Sequence, residues 1–244
     1  MRLTIHQPEH LPWLGFFHKA TLADTLVLLD NVQFEESYFQ NRNRIREAAK
    51  TIWITVPVLT KHRRDQLIKD VPIDKTQVRW QKKYWNSVLW CYQKAPYFYD
   101  YNDPFEKLLV STQWERLCDL NYHVIKLLFK FFRIPTKLVI ASELGVPLTL
   151  KGPELILEIV KKLEATVYIS GISGIAGRGK ETEPLFHKEG IQVIYQNYYH
   201  PIYQQCHPNF IPFLSAIDLL FNHGENSLDI LTNKVGSTLD HVLT

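Results

Sequence analysis

Short β-rich runs alternate with long helical patterns along most of this chain, and that alternation limits its fold more than any other feature. The runs are LTIH (3–6), TLVLLD (25–30), TIWITVPV (51–58), TKLVIAS (136–142), TVYIS (166–170) and IQVIYQ (191–196). Helical patterns fall at 14–22, 77–93, 104–132, 153–164 and 182–189, with an amphipathic stretch at 210–222 and a short one near 225–232. Strands that alternate with helices pair in parallel through crossover connections. The expected fold is therefore α/β: a mostly parallel, Rossmann-like sheet flanked by helices, with a helical C-terminal part over 197–244. Pro135 disfavours helix in the residue before it, which places a soft internal boundary at 134–136 in a chain that reads as one domain over 1–244.

With 244 residues, 45% hydrophobic and 22% charged, the chain resembles an ordinary globular protein. A net charge of +3 steers anionic ligands only weakly, and the basic run KHRR (61–64) is short for a nucleic-acid footprint, so no DNA partner is expected. Cys91, Cys118 and Cys206 have unrelated spacings and read as reduced thiols of a cytoplasmic protein. The N-terminus opens on the strand-like RLTI with no signal peptide. No apolar run reaches the ~18 residues of a membrane-spanning helix, so no membrane insertion is expected.

Four polar clusters follow strand ends, where open α/β sheets bind ligands. The first is IHQPEHLPWLGFFHKA (5–20): a strand, a Gln-Pro turn and a helix start whose N–H groups favour an anion. Pro8 to Leu14 loosely resembles the P-x-H-x-G-H motif of nucleotidylyltransferases, with Pro12 in the glycine position and Trp13 in that of the second histidine. His6 and His10 have no third ligand nearby, so no metal is expected; Gln7 and the amides after Pro8 are expected to face the ligand. Trp13, Phe16 and Phe17 either wall the pocket or fill the core.

The second cluster, DNVQFEESYFQNRNRIR (30–46), reads as a loop in which Asp30, Gln33, Asn41, Arg42 and Asn43 mix fork-shaped donors with Phe34, Tyr38 and Phe39. The third, VYISGISGIAGRGK (167–180), leads from Ser170 and Gly171 into a Gly/Ser loop with Arg178 and Lys180 that suits an anion. The fourth, NYYHPIYQQCHPNF (197–210), carries His200, Tyr203 and Gln205; His200 is the favoured general base because histidine titrates near neutrality. His200, Asp30 and His10 form the candidate catalytic set. Asp218 falls within an apolar helix and, as a buried acid, is expected to anchor a loop or the histidine region. The aromatic-rich stretch 79–101 reads as core.

The pieces QPEHLPWLGFFHK, ADTLVLLDNVQFEE, NRNRIR, WITVPV, KAPYF, YISG, GIQVIYQNYYHPIYQQ and FLSAIDLLFNHG, taken in order, resemble the WbqC-like family over nearly the whole chain. The resemblance implies bacterial origin and an association with O-antigen and other surface-polysaccharide gene clusters. Its matched polar set is Gln7, Asp30, Gln33, Asn41, Arg42, Asn43, Ser170, His200, Tyr203 and Gln205; His6 and His10 depart from what many relatives carry. The expected function is transfer of an acyl or aminoacyl group to an amino group of a nucleotide-linked sugar, with a small-molecule donor and no required cofactor. One alternative is nucleotidyl transfer, which needs Mg²⁺; another is a non-catalytic sugar-nucleotide binder or scaffold.

Overall fold

A strand that is apolar along its length has to be covered on both faces, and β2 (Thr25–Leu28) is buried at every residue. The computed structural model, which describes residues 1–61, 63, 65–171 and 179–232, places it in a five-stranded sheet. The other strands are β1 (Arg2–His6), β5 (Lys137–Ile140), β6 (Val167–Ser170) and β7 (Gln192–Tyr195), in the spatial order β5-β2-β1-β6-β7. Every neighbouring pair is parallel. The α/β expectation is thus met, and strands from both sides of residues 134–136 share this sheet.

Successive side chains of a strand point to opposite faces, and β2 divides its residues accordingly. Leu26 and Leu28 join the larger core, with α1 (Leu14–Thr21), α4 (Leu117–Phe131) and α7 (Ile217–His223). Val27, and Leu29 just past the strand, join a second core, with α5 (Gly152–Lys162) and α6 (Gly179–Lys188). Phe16 and Phe17 are almost wholly buried on α1, each contributing about 2 kcal/mol of apolar burial. They settle the core side of the sequence alternative, whereas Trp13 walls a cavity.

Four expectations require correction. The run 51–58 does not enter the parallel sheet: β4 (Lys50–Thr55) pairs antiparallel with β3 (Arg42–Glu47) as a separate hairpin. The stretch 42–46, expected as loop, is therefore strand. Asn43 and Ile45 turn inward opposite Ile54 and Ile52, a pattern hidden by the arginines between them. The long helix over 104–132 is broken. α3 (Phe98–Glu106) ends in a wider turn over Lys107–Ser111, and the chain straightens before α4. Thr112 Oγ1 and Trp114 Nε1 donate to the Lys107 and Leu108 carbonyls, closing that end. Finally, the helix expected over 210–222 starts only at Ile217. Ser215 instead bridges to Trp13, so the C-terminal part is irregular from 197 to 214, then helical through α7 and α8 (Ser227–Leu231). The aromatic stretch 79–101 does build core, with Tyr84, Trp85 and Tyr92 of α2 (Trp80–Tyr92) buried.

Candidate functional site

In the order β5-β2-β1-β6-β7, the chain leaves β1 toward β2 on one side and later returns to place β6 on the other. That reversal opens a crevice beyond the carboxyl ends of β1 and β6, the preferred ligand position of such sheets. A cavity of about 760 Å³ occupies it. Its floor is made by residues at strand ends: His6 and Gln7 after β1, Ser170 and Gly171 after β6, and Gln196 after β7. Aromatic walls come from Trp13, Tyr38, Phe39, Tyr198 and Phe213, and Arg44 of β3 stands beside them.

Local chemistry fixes these walls. Gln196 Nε2 donates to the Gly15 carbonyl (2.9 Å) and to His18 Nδ1 (3.0 Å), tying β7 to α1. Trp13 meets Tyr198 edge-on at 5.3 Å between ring centres. A Cβ at Gly15 would come within 2.3–2.6 Å of three carbons of the Trp13 six-membered ring, so only glycine lets that indole lie over the helix start. Gly15→Ala is expected to push Trp13 into the cavity and to cost about 1–3 kcal/mol of stability; indole fluorescence and thermal melts check both effects.

The cavity's charged groups are Glu9, Lys19 and Arg44, with Glu35 at its edge. Glu9 and Lys19 are 4% and 5% exposed. Lys19 lies one helical turn beyond Gly15, on the cavity face of α1, and donates from Nζ to the Ile5 carbonyl at 3.0 Å. Burial pulls its ammonium down to about 8, against the attraction of Glu9. Burial pushes the Glu9 carboxyl up to about 8, and Lys19 draws it back. His6 Nδ1–H donates to the Gln7 carbonyl at 3.0 Å, which turns Nε2 toward Glu9 Oε1 at 3.9 Å. Burial, then Lys19, lowers the His6 imidazole to about 3, so the ring is neutral at pH 7.

The turn that carries Glu9 is pinned from several sides. The His10 amide donates to the Phe39 carbonyl (2.9 Å). Asn121 Nδ2 donates to the Pro8 and Gln40 carbonyls at 3.0 and 2.7 Å. Asn43 Nδ2 donates to the Leu11 carbonyl at 2.7 Å, and Leu11 is held at φ +43°, a left-handed conformation that persists only where the surroundings impose it.

Of the residues expected at the site, the structure brings Gln7, Ser170 and Gly171 to the cavity. Gln40 Nε2 donates to Gln7 Oε1 at 2.7 Å. The others lie elsewhere. His10 is fully buried; its Nδ1–H donates to Asn121 Oδ1 (2.9 Å), its Nε2 accepts from Tyr84 OH (2.6 Å), and burial lowers it to about 4. Asp30 accepts from the Ser142 amide (2.8 Å) and hydroxyl (2.6 Å), holding the short helical turn after β5. Asn43 ties the Leu11 turn, and Asn41 Nδ2 donates to the Val56 carbonyl. Arg42 lies over the Trp53 ring at 4.4 Å and donates to the Ser37 carbonyl. Gln33 is exposed beside its bridge to Leu67.

His200 does not border the cavity either. Its Nδ1–H donates to the Pro201 carbonyl (2.9 Å) and its Nε2 accepts the Phe213 amide (3.0 Å), so neither nitrogen has a lone pair for a substrate proton. Tyr203 and Gln205 belong to a buried hub around Asp218, which accepts from Tyr92 OH (2.9 Å), Tyr203 OH (2.9 Å) and Gln205 Nε2 (2.8 Å). Arg46 donates to Gln205 Oε1 and the Pro208 carbonyl. Asp218 therefore anchors the 203–211 loop, as its burial required. Residues 172–178 of the Gly/Ser loop lie outside the described residues, and with them Arg178; the Lys180 side chain is likewise outside them.

Glu9, Lys19, Arg44, Tyr198 and Gln196 are site residues that the sequence reading does not single out. One signal for Lys19 was present: a lysine four residues after a glycine on the otherwise apolar helix LGFFHKAT. Among the described residues, no group of three or more His, Cys, Asp or Glu side chains has the geometry to hold a metal ion, and no helix is long and apolar enough to cross a membrane.

The model of the WbqC-like protein family matches residues 7–230, a span that contains the whole Glu9 turn, α1 and the Asp218 hub. An uncharacterized protein of Mycobacterium tuberculosis, Rv1507c, is 30% identical over 231 residues, which cover 94% of this chain and 97% of that one. No solved structure matches.

Proposed function

The chain belongs to the WbqC-like protein family, and from that premise we propose that it is a transferase of bacterial surface-polysaccharide assembly that acts on a nucleotide-linked sugar. The reaction proposed is transfer of an acyl or aminoacyl group to an amino group of that sugar. The observation that carries this reading is the cavity of about 760 Å³ at the sheet's reversal point. Its volume lies in the range that encloses a ligand of this size. Its rings offer flat faces to a base, Arg44 offers a fork to phosphate, and Gln7 and Gln196 offer amides to hydroxyls.

In the proposed reaction the sugar amine attacks the donor's carbonyl carbon. A C–N bond forms, the bond to the donor's leaving group breaks, and the amine gives up a proton. Proton transfer is assigned to the cavity floor, where His6 and Glu9 stand, and not to His200, whose ring nitrogens are engaged by backbone. Nucleotidyl transfer has less support, because it would draw on His10 and the position of Trp13. His10 is bound within the core by Asn121 and Tyr84.

The experiment is a thermal-shift screen of UDP- and dTDP-linked sugars, followed by mass spectrometry of the hits after incubation with acyl-thioester and aminoacyl donors. The expected result is stabilisation by a nucleotide sugar and a product heavier by the transferred group. Release of pyrophosphate from a nucleoside triphosphate would favour nucleotidyl transfer, and stabilisation with no product under any donor would favour a non-catalytic binder.

A further inference from the structure

We infer that Glu9 is the specificity-determining residue of the cavity, a receptor for a ligand's positively charged amino group, with Lys19 as a nearby ammonium that competes with that group. The inference rests on the reading of the cavity as a sugar-nucleotide site and adds which group on the ligand is recognised, and by what.

The geometry points to this role because the Glu9 carboxyl is incompletely satisfied. Its side chain borders the cavity and is nearly all buried, yet Oε2 has no hydrogen-bond partner among the described residues. A buried carboxyl in that condition is costly to ionise, and the carboxylate is tolerated where a charged partner completes it. The neighbours do not complete it. Lys19 lies close enough to attract it but directs a proton at the Ile5 carbonyl. His6 presents Nε2, an acceptor in the neutral ring, to Oε1 at 3.9 Å.

The Glu9 turn is not free to rearrange toward another partner, since Asn121, Asn43 and the Phe39 carbonyl hold it on both sides and Leu11 is forced to positive φ. An ammonium carries three N–H donors and a full charge, which matches a fixed carboxyl with an open oxygen. A sugar hydroxyl brings one donor and no charge, so the matched hydroxyl ligand forgoes the ion pair and two of the three donors. Arg44 lies on the same cavity's wall, giving the site a cationic group for a ligand's anion and an acidic one for its amine. The ligand class that fits is therefore an amino sugar carrying phosphate.

The test is isothermal titration calorimetry on the full chain with UDP-glucosamine, UDP-glucose, free glucosamine and free glucose. Glu9→Gln keeps the shape of the side chain, and a melting curve confirms that it is folded. In the wild type the amine is expected to bind about 10- to 100-fold more tightly than its hydroxyl match, and in Glu9→Gln the two are expected to bind alike. Lys19→Met, which removes the competing ammonium, is expected to widen the preference. Equal binding of amine and hydroxyl by the wild type, or a preference that survives Glu9→Gln, would overturn the inference and leave the nucleotide-sugar reading standing. A preference narrowed by Lys19→Met would overturn the competing role of Lys19. Glu9-dependent binding of glucosamine without binding of either nucleotide sugar would support the inference and overturn the nucleotide reading. Failure of all four ligands to bind would overturn both.

Discussion

Asp218→Ala is expected to lower the melting temperature by roughly 10 °C, since removing one member of a buried charged network costs about 3–5 kcal/mol and each kcal/mol shifts a chain of this size by about 2–4 °C. The carboxylate is wholly buried on α7 and accepts from two tyrosine hydroxyls and the Gln205 amide. Alanine leaves those three donors without an acceptor and the neighbouring Arg46 guanidinium, itself fully buried, without its negative charge. Tyr203→Phe serves as the comparison. It removes one donor while the carboxylate keeps the other two, so about 1 kcal/mol is expected.

The same substitution should reach the ligand site. Tyr203 and Gln205 hold the irregular segment after β7, and that segment supplies Tyr198 and Phe213 to the cavity wall. Ligand-induced stabilisation should therefore shrink in Asp218→Ala and persist in Tyr203→Phe. Equal losses of stability in the two variants would show that Asp218 acts as a single hydrogen-bond partner and not as the charge that organises the hub.

The parallel sheet was legible because its strands are short apolar runs, the central ones buried along most of their length; TVYIS, for instance, is expected at 166–170 and forms Val167–Ser170. Such runs cannot be stable anywhere but inside a covered sheet. β3 was not legible. RNRIRE reads as charged loop because Asn43 and Ile45 on its one face are separated by the arginines of the other, of which Arg46 is itself fully buried against Gln205. Its partner IWIT looks like a core strand, and only the tertiary fold reveals that the two form their own hairpin.

The candidate site follows the same division. Gln7, Ser170 and Gly171 were legible because they sit at carboxyl ends of strands, and that position is set by topology. Polar residues farther into the loops were misplaced, because their type says what they are able to bind and not what they do bind. His200 was a plausible base until the Phe213 amide, thirteen residues on, was seen to occupy its Nε2. Asp30 ends a strand as expected, yet Ser142 from the neighbouring strand's end takes both its oxygens. Glu9 and Lys19 are not legible as site residues because acids in turns and lysines on helices are normally solvated; their burial follows from the packing of β1 and α1.

Glu9→Gln is also expected to change the pH dependence of stability, with a sign fixed by the direction of the Glu9 shift. The folded protein holds the Glu9 proton up to about 8, whereas the group's ordinary value is 4.5. Between these values the folded state binds more protons than the unfolded state, so this site's contribution to stability is complete below 4.5 and declines as pH rises to about 8. Lys19 acts in the opposite sense and higher up. Its folded value is about 8 against an ordinary 10.5, so its contribution to stability increases with pH only between those values. His6, lowered from 6.5 to about 3, contributes stability that increases over that range, and does so in both proteins. Glutamine has no proton to lose, so the difference between the variant and the wild type isolates Glu9. The upward shift remains after the attraction of Lys19 is counted; exchanging the carboxylate for an amide is therefore favourable on the alkaline side. Melting temperatures taken from about pH 5 to about pH 8 should diverge, the variant gaining about 3–4 kcal/mol, or roughly 6–16 °C, at the upper end. Parallel curves would mean that Glu9 is ionised throughout, already paired as a stable carboxylate, and a receptor of that kind would not be waiting for an amine.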